Sequence, residues 1–231
     1  MARRPRVALG GLAYHVMNRV AGRQELFEDS ADYAAFERVL AEARKREGMR
    51  LCAYALMPNH FHLVVWPRAD GQLSRFMQWL TMTHTQRWHA HRHSAGRGHL
   101  YQSRFKSFPV QKDHHLLSVW RYVERNALRA GLVRQAEAWP WCSLACRQGK
   151  LEKAPELLDD GPVDLPCNWR ALVNRPQDQQ EVDSLRACIQ RGRPYGQDAW
   201  VRRTAAKLGL ESTLRAVGRP RKAARDGEVR R

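Results

Sequence analysis

A chain of 231 residues can hold one catalytic domain of about 100–150 residues and an appendage. Lysine and arginine number 40 against 23 acidic residues, and the formal net charge of +17 indicates a polyanionic partner, with nucleic acid favoured over an anionic membrane. No apolar run approaches the roughly 20 residues that a bilayer span needs, and the segment after the basic start is too polar for a signal peptide, so we predict a cytoplasmic protein without a membrane partner.

The spacing of apolar residues predicts four strands and three helices. Alternation predicts strands at residues 13–18, 51–57, 60–66 and 104–110. Helical spacing predicts a first helix from an N-cap at Ser30 to Gly48, a second along residues 73–88 and a third that is capped by Asp113 and extends through Ala127. The first six elements follow the order of the split βαβ arrangement. We therefore predict an α+β, ferredoxin-like fold with an antiparallel sheet and helices on one face, plus a basic C-terminal extension.

Charge is distributed unevenly along the chain. Residues 1–150 hold 24 basic and 11 acidic residues, residues 151–190 hold 4 and 8, and residues 191–231 hold 12 and 4. This pattern predicts a catalytic domain at 1–150, an acidic connector at 151–190 and a basic DNA-binding tail at 191–231. The connector contains four prolines between residues 155 and 176, which disfavour long regular elements.

The cysteines do not follow a zinc pattern. Of the five, only Cys142 and Cys146 are close in sequence, whereas zinc sites usually have two tight pairs or a pair with spaced histidines. We predict free thiols.

Two histidines at the start of the third strand are the first candidates for chemistry. Side chains alternate across a strand, so His60 and His62 share one face while Phe61 and Leu63 take the other. Two imidazoles on one face can bind a single ion, although they can also be ordinary polar residues on a solvated face. A divalent cation that acts on phosphate also needs oxygen ligands, so a further protein ligand must come from another element.

The third predicted helix supplies the second set of candidates. Tyr122 and Asn126 are four residues apart and stack on one helix face, with Arg125 and Arg129 beside them. A tyrosine oxygen that attacks a phosphodiester forms a phosphotyrosine ester, which conserves the energy of the broken bond and allows rejoining. Taken alone, Tyr122 fits a half-buried structural tyrosine better than a nucleophile, and it is the combination with Asn126 and the histidines that favours a nucleophile.

Basic residues elsewhere are candidates for contact with DNA. A basic strand supplies Arg104 and Lys106, and two Gly-Arg-Pro segments of the tail, which fit a narrow minor groove, supply Arg193, Arg219, Arg221 and Lys222. Arg125 and Arg129 on the predicted tyrosine helix are also candidates for contact with DNA. The histidine-rich run at residues 84–99 matches no tight ligand set, so we interpret it as a solvated helix end and loop rather than a second metal site. The apolar residues around Gly209 suggest a helix-turn-helix in the tail.

Several motifs together resemble those of a known family. The chain resembles the single-tyrosine transposases that carry a histidine-hydrophobe-histidine motif, and among them the REP-associated tyrosine transposases. The motifs lie at residues 57–62 (MPNHFH), 121–126 (RYVERN), 14–19 (YHVMNR), 98–107 (GHLYQSRFKS), 130–133 (AGLV) and 139–143 (WPWCS). The likeness covers about residues 5–145, and Gly-Arg-Pro segments also recur in the tails of this group.

The resemblance implies a role for each candidate. His60, His62 and Asn126 would bind the divalent metal, Mg²⁺ or Mn²⁺, and Tyr122 would attack and remain joined to the 5′ phosphate. The substrate would be single-stranded or hairpin DNA from repetitive extragenic palindromes (REP), which the chain would cleave and rejoin in a transposase-like reaction.

Other functions stay open at this point. One is a non-catalytic, sequence-specific DNA-binding protein of the same fold. Another is a replication initiator or relaxase, although the chain lacks the phosphate-binding loop of an attached motor. A third is an RNA-binding protein. Both a monomer and a homodimer with exchanged tyrosine helices are compatible with the sequence.

Overall fold

Four strands form the sheet that carries the candidate histidines. In the computed structural model, which describes residues 8–22, 24–94, 96, 98–149 and 157–215, the strands are β1 (Ala13–Arg19), β2 (Arg50–Met57), β3 (His60–Trp66) and β4 (Lys106–Val110). Their order is β2-β3-β1-β4 and every neighbouring pair is antiparallel. The predicted α+β fold with an antiparallel, ferredoxin-like sheet is confirmed.

Two long helices cover one face of the sheet. They are α1 (Ser30–Glu47) and α2 (Gln72–His91), and they pack on the strand residues of the larger apolar core, which include Phe61, Leu63 and Val65. The N-cap of α1 is Asp29 rather than the predicted Ser30, because the Asp29 side chain accepts a hydrogen bond from the backbone N–H of Asp32. Gly48 ends α1 in the left-handed conformation, as predicted.

The opposite face of the sheet is covered by the helix that carries the candidate tyrosine. Helix α3 (His114–Glu124) begins at Asp113, as predicted, and its residues Leu116, Val119 and Trp120 pack in a second core with Val64 of β3. The predicted placement of helices on one face therefore holds for α1 and α2, whereas α3 lies on the face of the histidines. Its apolar stripe needs a partner surface, and the other face is already occupied.

The helix that carries the candidate nucleophile Tyr122 is interrupted two residues after it. Helix α3 ends at Glu124, and a short helix α4 (Asn126–Arg129) follows. The sequence predicted one helix through Ala127. The break falls at Arg125, where ψ is −3°, and the Arg125 guanidinium is held by the carbonyl oxygens of Val173 and Asn174 at 2.8 and 2.6 Å.

The remaining helices pack around α3 and the ends of the sheet. They are α5 (Ser143–Arg147), α6 (Trp169–Asn174), α7 (Gln179–Arg191) and α8 (Asp198–Leu208), with 3-10 turns at Ala136–Ala138 and Glu211–Leu214. The expectation that prolines exclude long elements from residues 151–190 is wrong for α7, a helix of 13 residues, because α7 begins beyond the last proline, Pro176. The division of the chain into catalytic domain, connector and tail stays a prediction.

Both outer strands are paired by later parts of the chain. On β4, Tyr195 donates its backbone N–H to the carbonyl of Pro109 at 2.9 Å and accepts from the N–H of Gln111 at 2.9 Å. On β2, Leu56 donates its N–H to the carbonyl of Trp141 at 2.9 Å, and the N–H of Asp159 donates to the carbonyl of Leu51 at 2.8 Å. Asp159 and Tyr195, from the later part of the chain, thus bond directly to the sheet.

The tail differs from the sequence-based prediction. Helix α8 ends at Gly209 with a φ of 65°, but only the 3-10 turn follows it within the described residues up to 215, so the second helix of a helix-turn-helix is not found there. The pairing of Tyr195 instead attaches this segment to β4. The tail residues Arg219, Arg221 and Lys222 lie outside the described residues.

Two further predictions concern the cysteines and membrane-spanning helices. All five cysteines are free, as predicted. Across the described parts of the chain, no helix combines the length and apolar character required to cross a membrane.

Candidate active site

Strand β3 presents the two candidate ligands side by side. His60 and His62 lie on the same face, as the period of a strand predicts, and their ring centroids are 4.9 Å apart. His62 is buried at the centre of the sheet, whereas His60 is partly exposed at its end. Both imidazoles therefore line one small region between the sheet and α3.

Hydrogen bonds fix the orientation of both rings. The Nδ1 atom of His60 lies 2.6 Å from Oδ1 of Asn59, and an amide oxygen can only accept, so Nδ1 of His60 carries the proton and Nε2 keeps a free lone pair. The Nδ1 atom of His62 lies 2.9 Å from Nε2 of His15. Histidine ligands of metals are held in this way, with one ring nitrogen bonded to a neighbour.

The histidines are held in their neutral form. Burial is the main cause, and it lowers the pKa of His60 to about 4 and that of His15 to about 3. Burial also lowers the pKa of His62 well below its usual value, and the nearby cations Arg129 and Arg19 act in the same direction. The neutral imidazole is the form that a metal ligand requires.

The candidate nucleophile lies against the same histidines. The ring of Tyr122 is 6.0 Å from that of His62 and 6.4 Å from that of His15, edge-on to both. Only 7% of Tyr122 is exposed, so helix α3 places it in the space between itself and the sheet. The structure thus brings together within one chain the tyrosine and the histidine pair that the sequence places on separate elements.

Asn126 and Arg129 complete the cluster. The side chain of Asn126 is 7% exposed. Its Oδ1 accepts a hydrogen bond of 3.1 Å from Arg129, and its Nδ2 has no partner among the described residues. The guanidinium carbon of Arg129 is 3.9 Å from the centre of the Tyr122 ring. The cation is therefore placed over the phenol and beside the amide.

These residues fit a divalent cation such as Mg²⁺ or Mn²⁺. Two neutral imidazoles and one amide oxygen offer nitrogen and oxygen ligands and leave room for oxygens of a phosphate. The amide oxygen of Asn126 has two lone pairs, of which Arg129 uses one. The unpartnered Nδ2 is a hydrogen-bond donor, so it suits a phosphate oxygen and not the cation itself.

The predicted DNA-contacting residues have different surroundings. Lys106 is exposed at the start of β4 and, with Arg19, lines a polar cavity of about 80 Å³ next to the histidine strand. Arg104 precedes β4 instead of lying on it as predicted, and its carbonyl accepts a hydrogen bond of 3.0 Å from the Ser103 hydroxyl. The Arg125 side chain is engaged with α6. Arg193 lies after α7, next to the segment paired with β4.

Two features of the structure were not recognised in the sequence. His15 is the bonding partner of His62, and its place in the motif at 14–19, on a predicted strand, was the available signal. Asp113, His114 and His115 form a cluster of three ligand atoms within 4.8 Å of one another. In that cluster Asp113 already caps α3 and bonds His115 at 2.8 Å.

Comparison with known proteins places the chain in a family. Residues 8–126, slightly over half of the chain, match the model of the family described as Transposase IS200 like. The chain belongs to the IS200-like transposase family. The IS200-like segment extends from just before β1 to Asn126 and contains His60, His62 and Tyr122. A search of the curated proteins finds no match.

Two solved structures resemble this IS200-like chain. One is a REP-associated tyrosine transposase bound to a REP hairpin, at 18% identity, with 71% of this chain and 93% of that chain covered and a TM-score of 0.48. The other is the crystal structure of a protein described as a transposase from Deinococcus radiodurans R1, at 18% identity, with 53% of this chain and 96% of that chain covered and a TM-score of 0.36.

Proposed function

We propose that this IS200-like protein cleaves and rejoins single-stranded DNA through a covalent 5′-phosphotyrosine intermediate. The observation that carries the proposal is the position of Tyr122, whose ring lies edge-on to His62 within one chain. A structural tyrosine needs no histidine pair beside it. A strand-transfer site needs a nucleophile next to groups that bind the phosphate.

The metal would be held by His60, His62 and Asn126. When bound, Mg²⁺ or Mn²⁺ supplies a Lewis acid that polarises the phosphate. Asn59 and His15 hold the two imidazoles in place.

Tyr122 is the proposed nucleophile. Its phenol oxygen attacks the scissile phosphorus, the phenol loses its proton, and the bond from phosphorus to the 3′ oxygen breaks. The departing oxygen takes up a proton and becomes a free 3′ hydroxyl, while the 5′ phosphate stays on Tyr122 as an ester. The same steps in reverse rejoin a strand. Arg129 over the phenol ring favours the negative charge that develops on the oxygen.

The proposed substrate is a hairpin of the REP type. Support for a DNA partner comes from the family and from the net charge of +17. Support for the palindrome comes from the resemblance of the motifs at 57–62 and 121–126 to REP-associated transposases. Lys106 and Arg104 near the site, and Arg193 with the basic end of the tail, would contact the strand and its flanks.

A covalent adduct tests the proposal. The full chain would be incubated with 3′-labelled single-stranded palindromic DNA and Mn²⁺ or Mg²⁺, and then separated under denaturing conditions. We expect labelled protein with the wild type and none with Tyr122→Phe. Tyr195→Phe, which alters a half-buried tyrosine on another element, is the control and should retain the adduct. An adduct that persists in Tyr122→Phe contradicts the assignment.

The alternative is a DNA-binding protein of this fold without catalysis. Such a protein would bind the hairpin but would form no covalent adduct with the DNA in the presence of either Mg²⁺ or Mn²⁺. Competition with an RNA hairpin of the same sequence distinguishes a protein that prefers RNA. A chain truncated after Arg215 tests the end of the tail, and unchanged hairpin affinity would remove the proposed role of Arg219, Arg221 and Lys222.

A further inference from the structure

We infer that His15 is a positioning residue that holds His62 with its Nε2 atom facing the metal. The inference rests on the proposed function, because it assigns a role toward the ion that His60 and His62 would bind. It concerns a residue that does not itself touch the ion or the substrate.

The position of His15 is tightly defined. It lies on β1, the strand between β3 and β4, and only 1% of it is exposed. Its ring is stacked on Phe108 of β4 at a centroid distance of 4.9 Å and an angle of 29°. On its other side it meets His62 at 5.0 Å. The imidazole is therefore held between two rings and has no room to turn away.

The bond between the two histidines selects a tautomer. Nε2 of His15 and Nδ1 of His62 are 2.9 Å apart, and one of these atoms must donate and the other accept. If Nδ1 of His62 donates, its Nε2 keeps the lone pair that a metal needs. If Nδ1 of His62 accepts instead, the proton of neutral His62 is on Nε2, and Nε2 cannot bind the metal. We assign the first arrangement, with His15 as the acceptor.

This arrangement gives both ligands the same type of support. Asn59 Oδ1 fixes His60 through Nδ1 at 2.6 Å, and His15 fixes His62 through Nδ1. Partners of this kind orient a ligand ring, and their loss typically lowers metal affinity about 10–100-fold. His60 has an exposed end and an amide partner, whereas His62 is buried and depends on another imidazole.

A comparison within the chain distinguishes this role from ordinary core packing. His84 is also buried, at 4% exposure, and its Nδ1 makes one hydrogen bond of 2.7 Å, to the hydroxyl of Tyr101. It packs with Phe36 of α1, on the opposite face of the sheet. His84 therefore matches His15 in burial and bonding but lies away from the site, which makes it a control.

The experiment measures the affinity of the full chain for Mn²⁺ by electron paramagnetic resonance. His62→Ala gives the background binding, including any at Asp113, His114 and His115. We expect His15→Phe to weaken the affinity above that background by about 10–100-fold. His15→Gln, whose amide oxygen can accept from Nδ1 of His62, should stay within about threefold of the wild type. His84→Phe should lower the melting temperature and leave the affinity unchanged.

The outcomes separate this inference from the proposed function. Wild-type affinity in folded His15→Phe, or equal losses in the Gln and Phe variants, overturns the role of His15 and leaves the metal site intact. A wild type that binds no more Mn²⁺ than His62→Ala overturns the metal site and the inference together.

A measurement on the wild type covers the case in which His15→Phe does not fold. Nitrogen-15 NMR of the imidazoles identifies which ring nitrogen of His62 carries the proton. A proton on Nδ1 supports the inference, and a proton on Nε2 overturns it.

Discussion

The carboxylate of Glu124 is predicted to hold the tyrosine helix to the rest of the protein. Glu124 is completely buried. It accepts hydrogen bonds from Ser143 at 2.6 Å, from Trp120 at 3.1 Å and from Trp169 at 2.7 Å, and Arg147 is 3.7 Å away. Through these contacts one side chain joins α3 to α5 and α6, two residues beyond the proposed nucleophile.

The substitution Glu124→Gln tests this role with little change of shape. An amide has one oxygen, so at least one of the indole N–H groups of Trp120 and Trp169 then faces an NH₂ group. Each buried donor left without a partner costs about 1–3 kcal/mol, and Arg147 loses its nearby charge. We expect a loss of about 2–4 kcal/mol in the free energy of unfolding, out of about 5–15 kcal/mol for a typical domain.

Urea denaturation followed by circular dichroism measures the effect. Glu37→Gln is the matched control, because Glu37 accepts a single bond, from the hydroxyl of Tyr54 at 2.7 Å, which a glutamine oxygen can still accept. It should change the stability by less than about 1 kcal/mol. Amide exchange in α3 should quicken in Glu124→Gln. Stability within about 0.5 kcal/mol of the wild type, the range of an ordinary surface substitution, would refute the reasoning.

Three further predictions test other parts of the structure. Gly10→Ala places a Cβ atom 2.5 Å from the carbonyl oxygen of Arg68, and we expect a loss of about 1–3 kcal/mol in urea denaturation; no loss would contradict the close backbone approach. Arg129→Lys removes the planar group stacked over the phenol, so the rate of adduct formation should fall by about tenfold or more at unchanged melting temperature, and an equal rate would exclude the role of the guanidinium. Burial opposes ionisation of Asp159, but hydrogen bonds from Arg44 and from a backbone N–H hold its pKa below the usual value. The stabilisation is therefore present above about pH 4, the usual pKa, and is lost as the pH falls through the lowered pKa. Asp159→Asn should thus lower the melting temperature at pH 7 and progressively less in acid, and a difference that is constant with pH would argue against it.

The sequence was sufficient for those features that depend on local periodicity. Alternation along β3 placed His60 and His62 on one face, and the order of strands and helices predicted the antiparallel sheet. The spacing of four residues placed Tyr122 and Asn126 on one side of the chain, where Arg129 contacts both. Each of these inferences uses neighbours in the chain and a known repeat of the backbone, so it does not require knowledge of distant contacts.

The features that were missed depend on residues far apart in the chain. The bond from His15 to His62 requires the register between β1 and β3. The end of α3 before Asn126 coincides with contacts between Arg125 and α6, which lies about fifty residues later. The side of the sheet taken by α3 follows from which face α1 and α2 leave open. The spacing of apolar residues predicts that a helix has a buried face, but it does not predict which surface covers that face.

The pairing of both edge strands by later segments limits where the protein can be truncated. An outer strand with bare amides and carbonyls is a template on which further chains can add, leading to aggregation. Tyr195 occupies that position on β4, and Trp141 and Asp159 occupy it on β2. A fragment that stops before Tyr195 would expose β4, and its self-association could be mistaken for loss of DNA recognition. Truncation after Arg215 retains the segments that pair with β2 and β4.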